Sequence, residues 1–173
     1  IALLAHVRRG GRVLGVCGGY QMLGRTIADR DGVEGQPGRA EGLSLLDVET
    51  VLTGDKVLRP ARGTLASGEP FEGYEIHVGR TVGAATGRPF LVREDGTGEG
   101  AISPDGKIAG AYVHGLFDRA PARAALLRPL GATSDGLDQQ ARVDAALDEI
   151  AAALETHFAI DRLAAIAGLE LRP

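Results

Sequence analysis

Apolar residues fall into a short block of helical spacing at the start of the chain, a closely spaced series of strand-like runs through its middle, and a long amphipathic stripe near its end. Ile1, Leu4 and Val7 recur every three residues and Gly10-Gly11 closes the segment, which predicts a first helix. Val13, Leu14 and Val16 form a compact run suited to a buried central strand, and Tyr20, Met22 and Leu23 begin a helical pattern that should end near Ala28. Residues 29–42, DRDGVEGQPGRAEG, have the polar, glycine-rich composition of a surface loop. Short strands are predicted over residues 45–52, 56–65, 74–78, 89–92, 100–103 and 108–112, separated by Gly, Asp and Pro turns. A helix follows over 120–130, with Pro121 near its first turn and Gly131 as its stop. Between 137 and 158, Val143, Leu147, Ile150, Leu154 and Phe158 advance in three- and four-residue steps, the stripe of a helix packed on something. A last short helix starts at Asp161 and runs through Ala167.

The pattern predicts an α/β fold in which the closely spaced strands form a mixed or antiparallel extension beside a parallel sheet, with helices at the C-terminal end. With 173 residues, 44% of them hydrophobic, the chain can bury a core as one domain, 1–173, with residues 136–173 as a helical appendage. A net charge of −4 and the absence of tryptophan leave no basic or stacking surface for nucleic acid. A single cysteine excludes an internal disulfide and a cysteine-based zinc site. No apolar run approaches the roughly 20 residues needed to cross a bilayer, and no secretory signal precedes the fold, so a cytoplasmic protein without membrane contact is expected. The chain opens on a helix leading straight into a central strand, without an initiating methionine, so the N-terminal part of the domain is expected upstream of Ile1.

The cysteine, Cys17, stands between the apolar strand and the second helix in RVLGVCGGYQMLG. Gly18 and Gly19 are expected to allow a sharp turn that pushes its side chain out of the sheet. This is a nucleophile-elbow arrangement, with backbone N–H groups and a helix N-terminus beside the thiol, both of which favour a thiolate and an oxyanion. Taken alone, a single cysteine is better explained as a small core residue than as a nucleophile. Residues 15–21, GVCGGYQ, fit G-x-C-x-G-x-Q, which resembles the signature of class I glutamine amidotransferases.

A cysteine nucleophile needs a base, and four histidines are available. His114 ends the strand IAGAYV and is followed by Gly115, so its imidazole is expected at the same sheet edge as Cys17. His77 lies in GYEIHVGR, inside a strand with an outward face open to solvent, and reads equally as a substrate contact or a structural hydrogen bond. His6 reads as a helix-surface residue and His157 as a cation near a helix C-terminus.

Four motifs in order, GVCGGYQMLG, GLSLLDVET from Gly42, GYEIHVGRT from Gly73 and YVHGLFD from Tyr112, are similar to those of the glutaminase domain of cobyric acid synthases. The tail, with Arg142, Asp144, Leu147-Asp148 and LETHFAIDRL, is similar as well. The resemblance implies a class I glutamine amidotransferase-like, flavodoxin-like sheet. It also implies a glutaminase that passes ammonia to an ATP-dependent ligase domain, which amidates peripheral carboxylates of adenosylcobyrinic acid a,c-diamide, a corrinoid, in cobalamin biosynthesis. By that carry-over Cys17 is the nucleophile, His114 its base and Gln21 a glutamine contact, and Gly18, Tyr74 and His77 are further candidates for substrate binding.

The chain departs from the general pattern in three places. Class I amidotransferases carry H-x-E, whereas His114 is followed by Gly115 and Leu116, as cobyric acid synthases also lack the acid; a Cys-His dyad is therefore expected, with another group orienting the imidazole. The segment that supplies a second oxyanion donor is not in this sequence, leaving the N–H of Gly18. There is no G-x-x-x-x-G-K-[ST] loop, so ATP and Mg are expected on a separate ligase domain and no cofactor or metal in this chain. The rival readings are the amidotransferase domain of cobyrinic acid a,c-diamide synthase, a lipid II isoglutaminyl synthase glutaminase, and a catalytically silent domain that docks a ligase.

Overall fold

The computed structural model describes residues 2–169. The predicted first helix is α1 (Ala2–Arg8), its opening residue Ile1 lying outside the described residues. The chain divides into two compact units, Ile1–Gly136 and Leu137–Pro173. The first holds two sheets. One has three strands in the order β1 (Val13–Val16), β9 (Ile108–Ala111), β8 (Ala101–Ile102), with β1 and β9 parallel and β8 antiparallel to β9. The other runs β10 (Val113–His114), β5 (Pro70–Val82), β4 (Glu49–Leu65), β2 (Thr26–Asp29), β3 (Gly38–Glu41), with β6 (Leu91–Arg93) paired to β4 and β7 (Gly98–Glu99) paired to β6. The helices are α2 (Gly18–Leu23), α3 (Ala120–Leu127), and, in the second unit, α4 (Gln139–His157) and α5 (Ile160–Ala167).

Several predicted boundaries shift. The helix after Cys17 ends at Leu23 instead of near Ala28, because Gly24 is extended and pressed against Val48, where a Cβ would lie 2.8 Å from the carbonyl oxygen. Thr26–Asp29 then pairs with Gly38–Glu41, so the ends of the expected surface loop become a β-ribbon. The strand expected from residue 45 begins only at Glu49, since the N–H groups of Leu45 and Leu46 both turn back to the Leu23 carbonyl at 2.9 Å. No turn separates residues 52 and 56: β4 continues to Leu65, and a register shift between Val51 and Lys56 absorbs the irregular GD sequence. The stripe residues of α4 are exposed within their own unit. Among the described residues, no helix is long and apolar enough to cross a membrane.

The predicted strand over 108–112 splits at Tyr112. Up to Ala111 it pairs with β1; from Val113 it joins the other sheet, with Val113 opposite Glu75 and His114 opposite Tyr74. Tyr112 is the crossing residue. Its N–H leaves the ladder and donates to Glu99 Oε1 at 2.8 Å. The core lies on both sides of this crossing. Phe71, Leu91, Val113 and Leu116 gather on one side, and Tyr20, Leu23, Val48, Ile108 and Tyr112 on the other. Burying each of these larger apolar side chains contributes about 1.5–3 kcal/mol relative to exposure.

Two glycines set the floor on which α2 rests. Gly15 of β1 and Gly110 of β9 are register partners. A Cβ at Gly15 would come within 2.7 Å of the Gly19 backbone and the Leu23 side chain, and one at Gly110 within 2.2 Å of the Tyr20 ring. Gly15→Ala is therefore expected to destabilise the fold by about 1–3 kcal/mol, as overpacking does. Gly18→Ala, where a Cβ meets nothing within 4 Å, should be neutral or slightly stabilising. Urea midpoints of the two variants check the contrast.

Burial pushes the Glu99 carboxyl up from 4.5 to about 7, with the Tyr112 N–H bond opposing. The folded protein thus holds this proton where the unfolded chain releases it. The stability it contributes is complete below about pH 4.5 and is lost as the pH rises through about 7. Glu99→Gln, which keeps an acceptor for Tyr112, should raise the Tm more at about pH 8 than at about pH 5. Thermal unfolding at the two pH values measures the difference.

Candidate active site

Cys17 carries the strain of the strand-to-helix turn itself. Its φ of 55° and ψ of −117° are those of the first central position of a type II′ turn, normally glycine. The turn was expected to rest on Gly18 and Gly19, but both are helical residues without positive φ. Their missing side chains instead leave the backbone beside the thiol uncovered, since an added Cβ at either would meet no atom within 4 Å. Hydrogen bonds hold Cys17 on three sides. Its N–H donates to Ala111 at 2.8 Å, its carbonyl accepts from Tyr20 at 2.9 Å and Gln21 at 3.3 Å, and its thiol donates to the Ile76 carbonyl at 3.3 Å. Among the described residues the N–H of Gly18 has no acceptor.

The thiol's partner explains how the second sheet reaches the elbow. β10 covers the edge of β5 only at Tyr74 and Glu75, so the carbonyls beyond point toward α2. Ile76 takes the Cys17 thiol, and Val78 takes the side-chain amide of Gln21 at 3.1 Å. Gln21 also donates to the Tyr112 hydroxyl at 3.2 Å, which commits its NH2 group to the protein and leaves its Oε1 as the free end. The chain of hydroxyls continues from Tyr112 to Thr81 and from Thr81 to Thr50, each at 2.6 Å.

His114 is in the sheet of β5 and not in the three-stranded sheet that carries Cys17, in contrast to the shared sheet edge expected for the pair. The cause is the crossing at Tyr112, only two residues before it. Its ring stacks on Tyr74, centroids 5.1 Å apart and planes 8° from parallel, and its Nε2 is buried without a hydrogen-bond partner. Tyr74 is half exposed.

His77 is not on a solvent face, contrary to expectation: its side chain is only 10% exposed. Its ring stacks on Tyr112 with centroids 3.7 Å apart, Nε2 lies 3.8 Å from Glu75, and Nδ1 is buried and unpartnered. Burial lowers its pKa, with Glu75 pulling the other way.

Sequence reasoning passed over Glu75 and Tyr112. Glu75 is 1% exposed and gripped by Arg59, its register partner on β4, and by Arg93 of β6. The signal was present: strand alternation puts Glu75 on the same face as buried Phe71 and His77, where a carboxylate requires cationic partners. Glu75, His77, Tyr112, Glu99, Tyr20 and Arg59 line one cleft of about 410 Å³. No group of three His, Cys, Asp or Glu side chains among the described residues could hold a metal.

Comparison with known proteins agrees with this elbow. Residues 1–122 match the model of the CobB/CobQ-like glutamine amidotransferase domain. The chain is 62% identical over 98% of its length to a cobyric acid synthase of Caulobacter sp. strain K31. It is 55% identical over 96% to that of Methylocella silvestris and 58% identical over 94% to that of Bradyrhizobium sp. strain BTAi1. It spans about a third of the length of these curated relatives, between 33% and 35%. The strained cysteine between β1 and α2, and the motif match over most of the first unit, place the chain in the CobB/CobQ-like glutamine amidotransferase domain family.

Proposed function

We propose that this chain is the glutamine-hydrolysing part of a cobyric acid synthase, with Cys17 as nucleophile and His114 as its base. The observation that carries the reading is the backbone of Cys17, a non-glycine residue held at φ 55° between a strand and a helix by bonds to both sheets. Such strain costs about 1–3 kcal/mol and clusters where chemistry requires a fixed side chain.

In the proposed reaction the thiol gives its proton to the His114 imidazole as sulfur adds to the side-chain amide carbon of glutamine, and the Gly18 N–H donates to the oxyanion. His114 returns the proton to nitrogen, the C–N bond breaks, and ammonia leaves a glutamyl thioester. Water, deprotonated by His114, then attacks the thioester; glutamate departs and the thiol is restored. The unpartnered Nε2 of His114 suits both transfers. Gly18, Gln21 and His77 are assigned to glutamine binding, with Gln21 offering its Oε1; Tyr74, expected beside them, lies instead against the His114 ring.

Ammonia would then pass to an ATP- and Mg-dependent ligase in the remaining length of the protein, which amidates carboxylates of adenosylcobyrinic acid a,c-diamide. The relatives' name, cobyric acid synthase, supports this substrate, and a cytoplasmic location fits a biosynthetic ligase. A second reading makes His77 the base, because Glu75 stands 3.8 Å from its Nε2 and could orient the ring. His114 is preferred because His77 is buried against Tyr112 and its pKa is lowered.

In the full-length enzyme, Cys17→Ala should abolish glutamine-supported amidation while synthesis from added ammonia continues. Parallel assays with the two nitrogen donors check this; loss of both activities would make the effect structural. His114→Ala should lower glutamate release by about 10²-fold or more. His77→Ala should mainly weaken glutamine use or coupling to the ligase, and glutaminase kinetics of the pair decide between the two bases.

A further inference from the structure

We propose that Tyr74 is the positioning residue for His114, its ring doing by stacking what a carboxylate does in an H-x-E amidotransferase. The proposal rests on His114 as the base.

The two residues are direct partners in the antiparallel register of β10 and β5. Directly opposed cross-strand side chains stand about 4.5–5.5 Å apart, and the rings take up that spacing, 5.1 Å apart and 8° from parallel. The backbone is built for the approach. A Cβ at Gly73 would lie 2.0 Å from the His114 carbonyl oxygen, and Gly115 turns the chain away immediately after the imidazole with φ 80°.

Among the described residues no carboxylate takes the orienting role. Among the described residues the imidazole of His114 has no hydrogen bond, and its Nε2 is buried and unpartnered. The two nearest carboxylates along β5 are spent elsewhere. Glu72 lies 3.8 Å from Arg62 and 3.7 Å from Arg119, and Glu75, on the opposite strand face from Tyr74, is bound by Arg59 and Arg93. An aromatic face therefore fixes the imidazole plane while leaving Nε2 free to exchange a proton with sulfur. The electron-rich phenol face also favours the imidazolium formed once that proton arrives.

The test uses the full-length protein and steady-state glutaminase kinetics. Tyr74→Leu, which keeps an apolar side chain but no ring, should lower kcat by about tenfold with the KM for glutamine within about twofold of wild type. Tyr74→Phe should recover most of the lost kcat, because the ring and not the hydroxyl makes the contact. If Leu fails to fold, Tyr74→His supplies a flat ring of different size and Phe still separates ring from hydroxyl. A Phe variant impaired in kcat beyond about tenfold overturns the stacking role, as does a Leu variant whose defect lies in KM alone; the latter would make Tyr74 a substrate contact. The base and its stacking partner are tested separately. An active His114→Ala variant removes the base assignment itself, whereas an inactive His114→Ala beside a fully active Tyr74→Leu removes only the stack.

Discussion

A cysteine does not hold a φ of 55° and a ψ of −117° unaided; the surrounding structure has to over-determine it. Here the constraint is met from three directions. Below, the Gly15–Gly110 pair lets α2 lie close on the β1–β9 ladder, and the N–H groups of Tyr20 and Gln21 close the first turn onto the Cys17 carbonyl. Behind, Ala111 accepts the Cys17 N–H, and in front Ile76 accepts the thiol. Bonds of this kind contribute about 0.5–1.5 kcal/mol each, so the set is comparable in size to the strain it opposes.

β5 is the second organiser, and its two features do different things. Its uncovered carbonyls bring Cys17 and Gln21 to the second sheet. Its buried side chains, Glu75 and His77, line a polar cleft together with Arg59, Arg93 and Glu99. A buried carboxylate between two arginines is weak evidence for net stability but strong evidence for fixed geometry, because losing any one partner strands a charge. That rigidity backs the strand whose edge receives the thiol.

Legibility in the sequence follows how local the determining physics is. The elbow was readable because an apolar strand, a cysteine, glycines and a helical pattern are adjacent in the chain. The expectation that Gly18 and Gly19 make the turn followed residue preference, whereas the positive φ falls on Cys17 and the close approach of Gly15 to Gly19 seats the helix behind it. Helix α2 stopped early because of Val48, a residue 24 positions past Gly24, and no periodicity near Gly24 carries that contact. The split at Tyr112 was invisible for a related reason. Residues 108–113 read as one strand, and only the edge of β5 determines where the partner changes.

The crossing at Tyr112 also fixes a distance. Ala111 is tied to Cys17 through a backbone hydrogen bond, and His114 is tied to Tyr74 by strand register, so two residues of covalent chain, Tyr112 and Val113, span the interval. The spacing of Cys17 and the His114 backbone is thus set by residue count. It is a ruler intolerant of any change of length, because one inserted residue would turn the imidazole to the opposite face of β10.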